Sequence, residues 1–175
     1  MTRDPFSERS GTFGANRHVN VVIETPAGSA AKYAWDPELR AFRLSRLLPL
    51  GTTFPCDFGF VIGTRAGDGD PLDAMVLADV PLIQGAVVEC RVLGAFECKT
   101  SQPGSTGLTR NDRLIVVPVE TIRGAAWQEL DQVSRALIHG LGDFLTDYTR
   151  REGRTFELVR SHDHSSALAL VEAAR

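Results

Sequence analysis

The chain has 175 residues, enough for one domain with a substantial core and too few for two typical ones. Its 43% apolar and 23% charged content is that of an ordinary globular protein and excludes global disorder. A net charge of −3 gives no footing for non-specific nucleic-acid binding, and no apolar run reaches the length of a membrane span. Met1 to Ala15 lacks the apolar centre of a signal peptide, and the three cysteines (Cys56, Cys90, Cys98) are odd in number without zinc-type spacing. Reduced core thiols in a cytoplasmic protein are therefore expected.

Residues 1–16, polar and carrying Gly11 and Gly14, are expected to form a flexible arm ahead of a single domain over 17–175. Val19 to Glu24 is a β-branched run ending at Thr25-Pro26, a first strand. Lys32 to Asp36 and Ala41 to Ser45 flank Pro37-Glu38-Leu39-Arg40 and predict a hairpin. Further strands are predicted over Phe58 to Ile62, Asp73 to Leu77, Ala86 to Glu97 and Asp112 to Val119. Residues 99–112 between the last two predict a long polar connection. Many short strands with Gly and Pro turns point to a closed or nearly closed barrel.

The period then changes. From Asp131 to Arg151, Val133, Leu137, Leu141, Phe144, Leu145 and Tyr148 recur on one helical face, with Asp131 or a neighbour as N-cap. Gly140 and Gly142 each cost about 1 kcal/mol relative to Ala, so this helix is expected to depend on packing. Thr155 to Arg160 predicts another strand, and Asp163 to Ala174 a terminal helix with Ala167, Leu168 and Val171 inward. His162 and His164 flank Asp163 where that helix begins, so Asp163 reads as its cap rather than the trio as a metal site. Arg150, Arg151, Arg154 and Arg160 read as a solvated basic face.

The densest chemistry lies in Asp68-Gly69-Asp70-Pro71-Leu72-Asp73, three carboxylates within six residues, followed at once by the apolar Ala74-Met75-Val76-Leu77. Carboxylates repel one another and are costly to bury unpaired, so such a cluster commonly holds cations, and all-oxygen ligands favour a hard ion. An EF-hand fits badly, because Leu72 would fall at a ligand position and Asp73 where the turn glycine belongs.

Upstream lie Phe54-Pro55-Cys56-Asp57-Phe58-Gly59-Phe60, Val21 to Ala27 and Lys32-Tyr33; downstream lie Gly85 to Val88, Leu93-Gly94 and Arg113 to Pro118. These blocks, in this order, resemble the soluble family I inorganic pyrophosphatases over roughly residues 19–150. The resemblance implies an α+β, mainly β fold: a five-stranded OB-like barrel flanked by a long helix and a short terminal one. It implies hydrolysis of diphosphate to two phosphates with Mg²⁺ or Mn²⁺, and homo-oligomers, commonly hexamers. Carried over residue by residue, Asp70 becomes the general base and, with Asp68, Asp73 and Asn111, a metal ligand. Lys32, Arg46 and Tyr148 become phosphate-binding residues and Glu24 a cavity carboxylate.

Several family positions differ. Ala34 and Thr100-Ser101 stand where carboxylates are expected, and Asn111 and Arg113 replace an Asp metal ligand and a phosphate-binding Lys. Phe54 and Phe58 replace tyrosines, and Thr149 replaces a lysine. Asp112 and Asp57 are conceivable substitutes for lost acids, although alternation along a strand should turn Asp112 to the opposite face from Asn111. The competing reading is a family member without catalysis that binds a phosphate compound or a protein partner. A barrel for single-stranded nucleic acid is disfavoured by the acidic balance.

Overall fold

The computed structural model describes residues 5–101 and 107–175. Five strands close into a ring: β1 (Val19–Thr25), β4 (Asp57–Val61), β5 (Asp73–Val76), β8 (Arg113–Pro118) and β6 (Val87–Ser101), which returns to β1. Within the ring only β5 and β8 run parallel; the closing pair runs antiparallel from Val19 opposite Cys90 to Val22 opposite Val87. The expected OB-like ring is thus present. β2 (Ala31–Asp36) and β3 (Ala41–Leu47) form the predicted hairpin as a separate two-stranded sheet.

Two glycines fix how closely the strands approach. A Cβ on Gly59 would lie 2.0 Å from the Val22 carbonyl oxygen, and one on Gly94 would lie 2.4 Å from that of His162. Gly94 also follows an irregularity in the β6–β8 register, and such an irregularity bends the strand that carries it. Beyond that bend β6 pairs with β9 (Phe156–His162) and, at its end, with β7 (Leu108–Arg110). The polar connection expected over 99–112 is accordingly shorter: Lys99 to Ser101 continue β6, and Leu108 to Arg110 pair back on it. Residues 102–106 of that connection lie outside the described residues.

Val19, Val21, Ile23, Val61, Ala74, Val76, Val92 and Leu114 fill the ring, and Ala167 and Val171 of α2 (His164–Ala174) pack on the same cluster. Met75, Leu93, Phe96, Ile115 and Val117 point the other way, under Leu141 and Leu145 of α1 (Arg135–Arg151). Strands β5 and β8 are thus covered on both faces, which is why Ala74-Met75-Val76 and Leu114 to Val117 read as continuous apolar runs. Leu141 and Leu145, 0% and 2% exposed, each stabilise the fold by about 1.5–3 kcal/mol through burial.

Two expectations change. Asp131 is not the cap of α1: a 3₁₀ turn over Leu130–Gln132 is closed by a Glu129–Gln132 capping box, Val133 is extended, and the α-helix follows Ser134. Leu137, expected on the inward face, lies at its margin and is exposed. The described part of the expected N-terminal arm is laid against the ring, with the Phe6 ring 4.7 Å from Trp35 and 5.8 Å from Phe60, and the Phe6 carbonyl accepting from Gly63 N.

Asp163 caps α2 by accepting from Ser166 N, and the flanking histidines are engaged, His162 with Glu97 and His164 with the Val92 carbonyl. All three cysteines are buried and unpaired, and burial raises their thiol pKa values, that of Cys98 to about 12. No helix among the described residues is long and apolar enough to cross a membrane.

Candidate active site

A pocket of about 490 Å³ gathers Glu24, Lys32, Arg46, Asp68, Asp70, Asp73, Asn111, Arg113 and Tyr148. Strand β1 contributes Glu24, the hairpin contributes Lys32 and Arg46, and the 68–73 turn supplies the carboxylates. Asn111 and Arg113 come from the start of β8, and Tyr148 from the last turn of α1. A shallower cleft of about 540 Å³ runs along the hairpin past Asp36 and Arg43. Asp36 there is spent on the turn, accepting from Glu38 N, Leu39 N and Arg43, so the cleft offers little free chemistry.

The acidic turn is shaped by its own sequence. Gly69 takes φ 95°, and the Asp68 carboxylate accepts from Asp70 N at 3.2 Å. Asp73 opens β5 and pairs in register with Arg113, whose Nη1 lies 2.7 Å from its carboxylate. The same guanidinium donates to the Asn111 carbonyl at 3.0 Å and to the Asn111 side-chain oxygen. Asp70 is exposed, and its carboxylate has no hydrogen-bond or ion-pair partner among the described residues.

Lys32 and Arg46 are register partners across the hairpin. Burial lowers the Lys32 pKa, partly offset by the field of Asp73. Arg46 lies 2.5 Å from Glu152 and 5.8 Å from the centre of the Tyr148 ring. Glu24 accepts from Trp35 N at 2.7 Å, yet burial outweighs that bond and raises its pKa to about 7. Burial likewise raises the Tyr148 phenol, keeping it a hydrogen-bond donor at neutral pH.

The family model for inorganic pyrophosphatase matches residues 21–175. An inorganic pyrophosphatase of Synechocystis sp. is 32% identical over 172 residues, covering 98% of this chain and 95% of its own. The crystal structure of the Thermus thermophilus inorganic pyrophosphatase superposes with a TM-score of 0.87 at 32% identity, over 97% of this chain and 95% of that one. The structure of an inorganic pyrophosphatase from Coxiella burnetii superposes with a TM-score of 0.84 at 30% identity, over 93% of this chain and 96% of that one. The chain belongs to the inorganic pyrophosphatase family.

Among the departures from the pyrophosphatase pattern, Ala34, Phe58, Thr100, Asn111 and Thr149 all line the pocket. Ser101 is occupied elsewhere, its hydroxyl accepting from Thr155 N and its carbonyl from Arg154. Neither conceivable substitute acid reaches the pocket. Asp112, on the opposite face of the strand from Asn111 and Arg113, accepts from Cys98 N and pairs with Arg110. Asp57 is buried on the far side of β4, accepting from Ala27 N and Leu82 N. Two functional candidates escaped the sequence reading: Arg154, a pocket residue rather than part of a solvated face, and Glu152 between it and Arg46.

Four carboxylates (Glu24, Asp68, Asp70, Asp73) and four cations (Lys32, Arg46, Arg113, Arg154) line the pyrophosphatase pocket. Among the described residues no three acid, histidine or cysteine side chains converge closely enough to hold an ion alone. That oxygen donor set fits Mg²⁺, which keeps several waters and commonly shares one or two carboxylates with substrate phosphates instead of occupying a closed cage.

Proposed function

We propose that the protein hydrolyses inorganic pyrophosphate to two phosphates with Mg²⁺ or Mn²⁺. The observation that carries this reading is the single pocket in which the complete acidic turn meets Lys32, Arg46 and Tyr148. Water adds its oxygen to one phosphorus as the bridging P–O bond breaks, and the water's proton must leave. Asp70, the exposed and unpartnered carboxylate of the turn, is the base that takes it. Lys32, Arg46 and Arg113 neutralise and align the phosphate oxygens, and the Tyr148 hydroxyl donates to one of them. Asp68 and Asp73 would be the ion's charged ligands, with the neutral oxygen of Asn111 as a weaker third. When bound, the ion offsets phosphate charge and acidifies a water. Glu24 stays back as a cavity carboxylate held by Trp35 N.

The same reading covers the setting. The three buried, unpaired thiols support a cytoplasmic protein, and the family supports a homo-oligomer, for which sedimentation is the direct measure. The functional test is phosphate release from pyrophosphate with saturating Mg²⁺ or Mn²⁺, against folded Asp70→Asn as control. Release by the parent no faster than by that control would overturn the assignment.

A further inference from the structure

Thr149 stands where the resemblance places a phosphate-binding lysine, and it is buried against the pocket. A cation nevertheless reaches that wall from five residues further on. Helix α1 ends in a Schellman turn: Gly153, at φ 69°, bonds through its N–H to the Arg150 carbonyl, and Arg154 N–H bonds to that of Thr149. The left-handed glycine folds the chain back, setting Arg154 beside the very residue that lacks a charge. The Arg154 side chain is only 19% exposed and lines the same pocket as Lys32, Arg46 and Tyr148.

Its guanidinium is held from behind. Nε donates to the Ser101 carbonyl at 2.8 Å, and Nη1 lies 3.5 Å from Glu152. Ser101 is itself fixed, since its hydroxyl accepts from Thr155 N at 2.9 Å and its own N–H donates to the Thr155 carbonyl at 3.0 Å. Glu152 also meets Arg46 at 2.5 Å, so one carboxylate is shared by two guanidiniums and the group keeps a net positive charge. Nη2 of Arg154 has no partner among the described residues, leaving a planar pair of donors suited to a phosphate oxygen.

We propose that Arg154 is a substrate-binding residue that supplies, from the turn after α1, the phosphate contact missing at position 149. This rests on the pyrophosphatase reading for its substrate, and the experiment separates the two. Arg154→Gln should raise the KM for pyrophosphate about tenfold to a hundredfold, the range for losing one charge-assisted hydrogen bond, with a smaller change in kcat. Adding Thr149→Lys to that variant should recover most of the loss, because it returns a cation to the same wall. Titration calorimetry with inorganic phosphate as the probe should show a parallel weakening in Arg154→Gln and recovery in the double variant, without any turnover. A parent that releases no phosphate from pyrophosphate would remove the pyrophosphatase reading, and the phosphate titration would still judge Arg154. An unchanged KM and phosphate affinity in Arg154→Gln would overturn the proposal. So would a fall in melting temperature with a loss of affinity that Thr149→Lys fails to restore, since Arg154 would then be only a latch on Ser101 and Glu152.

Discussion

Residues 110–113 separate two clusters of charge of similar composition and opposite character. On the outer side, Asp112 accepts from Arg110 at 2.8 Å and from Cys98 N at 3.2 Å. Arg110 continues at 3.8 Å to Glu97, which also meets Arg160 and His162, each at 2.9 Å. On the pocket side, Asp73 is paired with Arg113, but Asp70 and Lys32 have no hydrogen-bond or ion-pair partner among the described residues. Structural charge is satisfied by the protein itself, whereas the pocket keeps one carboxylate, Asp70, and one ammonium, Lys32, without such a partner among the described residues. The chemistry resides in what is left unpaired, more than in the number of charges.

The sharpest way to break that contrast is a matched pair of variants. Asp70→Asn should lower phosphate release by about a hundredfold or more, the range for losing a general base, while leaving the melting temperature near the parent's. Asp112→Asn should do the reverse, preserving phosphate release but costing about 1–3 kcal/mol of stability and several degrees in melting temperature. Comparable activity losses in both would mean that the two clusters are not functionally separate.

A smaller effect is expected from making the pocket more acidic. Thr100→Asp with Asn111→Asp places two carboxylates on its lining, at positions where the resemblance implies acids. Thermal melting should show a larger stabilisation by Mg²⁺ than in the parent, and a lower melting temperature without metal, because like charges then crowd an empty site. If Mg²⁺ stabilises the double variant no more than the parent, Thr100 and Asn111 do not face the ion.

The smallest effects should be opposite pH slopes. Glu24 has its pKa raised from 4.5 to about 7 by burial, so the folded state holds a proton that the unfolded state has released between those values. Stability should therefore fall as pH rises from about 5 to 7, and Glu24→Gln should remove that slope in metal-free melting. The Arg160 and His162 contacts depress the Glu97 pKa below its ordinary value. Its contribution is present above about pH 4.5 and is lost as pH falls below, and Glu97→Gln should flatten only that acid limb. Slopes of the same sign would contradict the distinction between the two clusters.

The acidic turn was legible in the sequence because three carboxylates in six residues have few structural uses, and the strands because β-branched runs are bounded by Gly and Pro. Alternation correctly kept Asp112 away from Asn111's face. The start of α1 was hidden, because Leu130 to Val133 carry the same apolar spacing as the helix while Glu129 and Gln132 bind them into a separate turn. The extension of β6 was hidden by polarity: Thr100 and Ser101 look like loop residues, but strands on both sides cover them. Arg154 looked like one more surface arginine. The available signal was Gly153, since a glycine just past a helix turns the following residue back toward it.

The three cysteines have a practical consequence. A thiol reacts as its thiolate, and burial suppresses that form at Cys56, Cys90 and Cys98 alike. The native fold is therefore expected to alkylate slowly at neutral pH, which a thiol titration of the folded protein would measure. One cysteine introduced on the exposed rim, such as Leu50→Cys or Pro71→Cys, would carry a fluorophore to a single address without removing any natural residue of the core. The same burial makes thiol labelling a clock for opening, since any slow uptake by the unaltered protein measures how often β6, or the segment just before β4, parts from its neighbours.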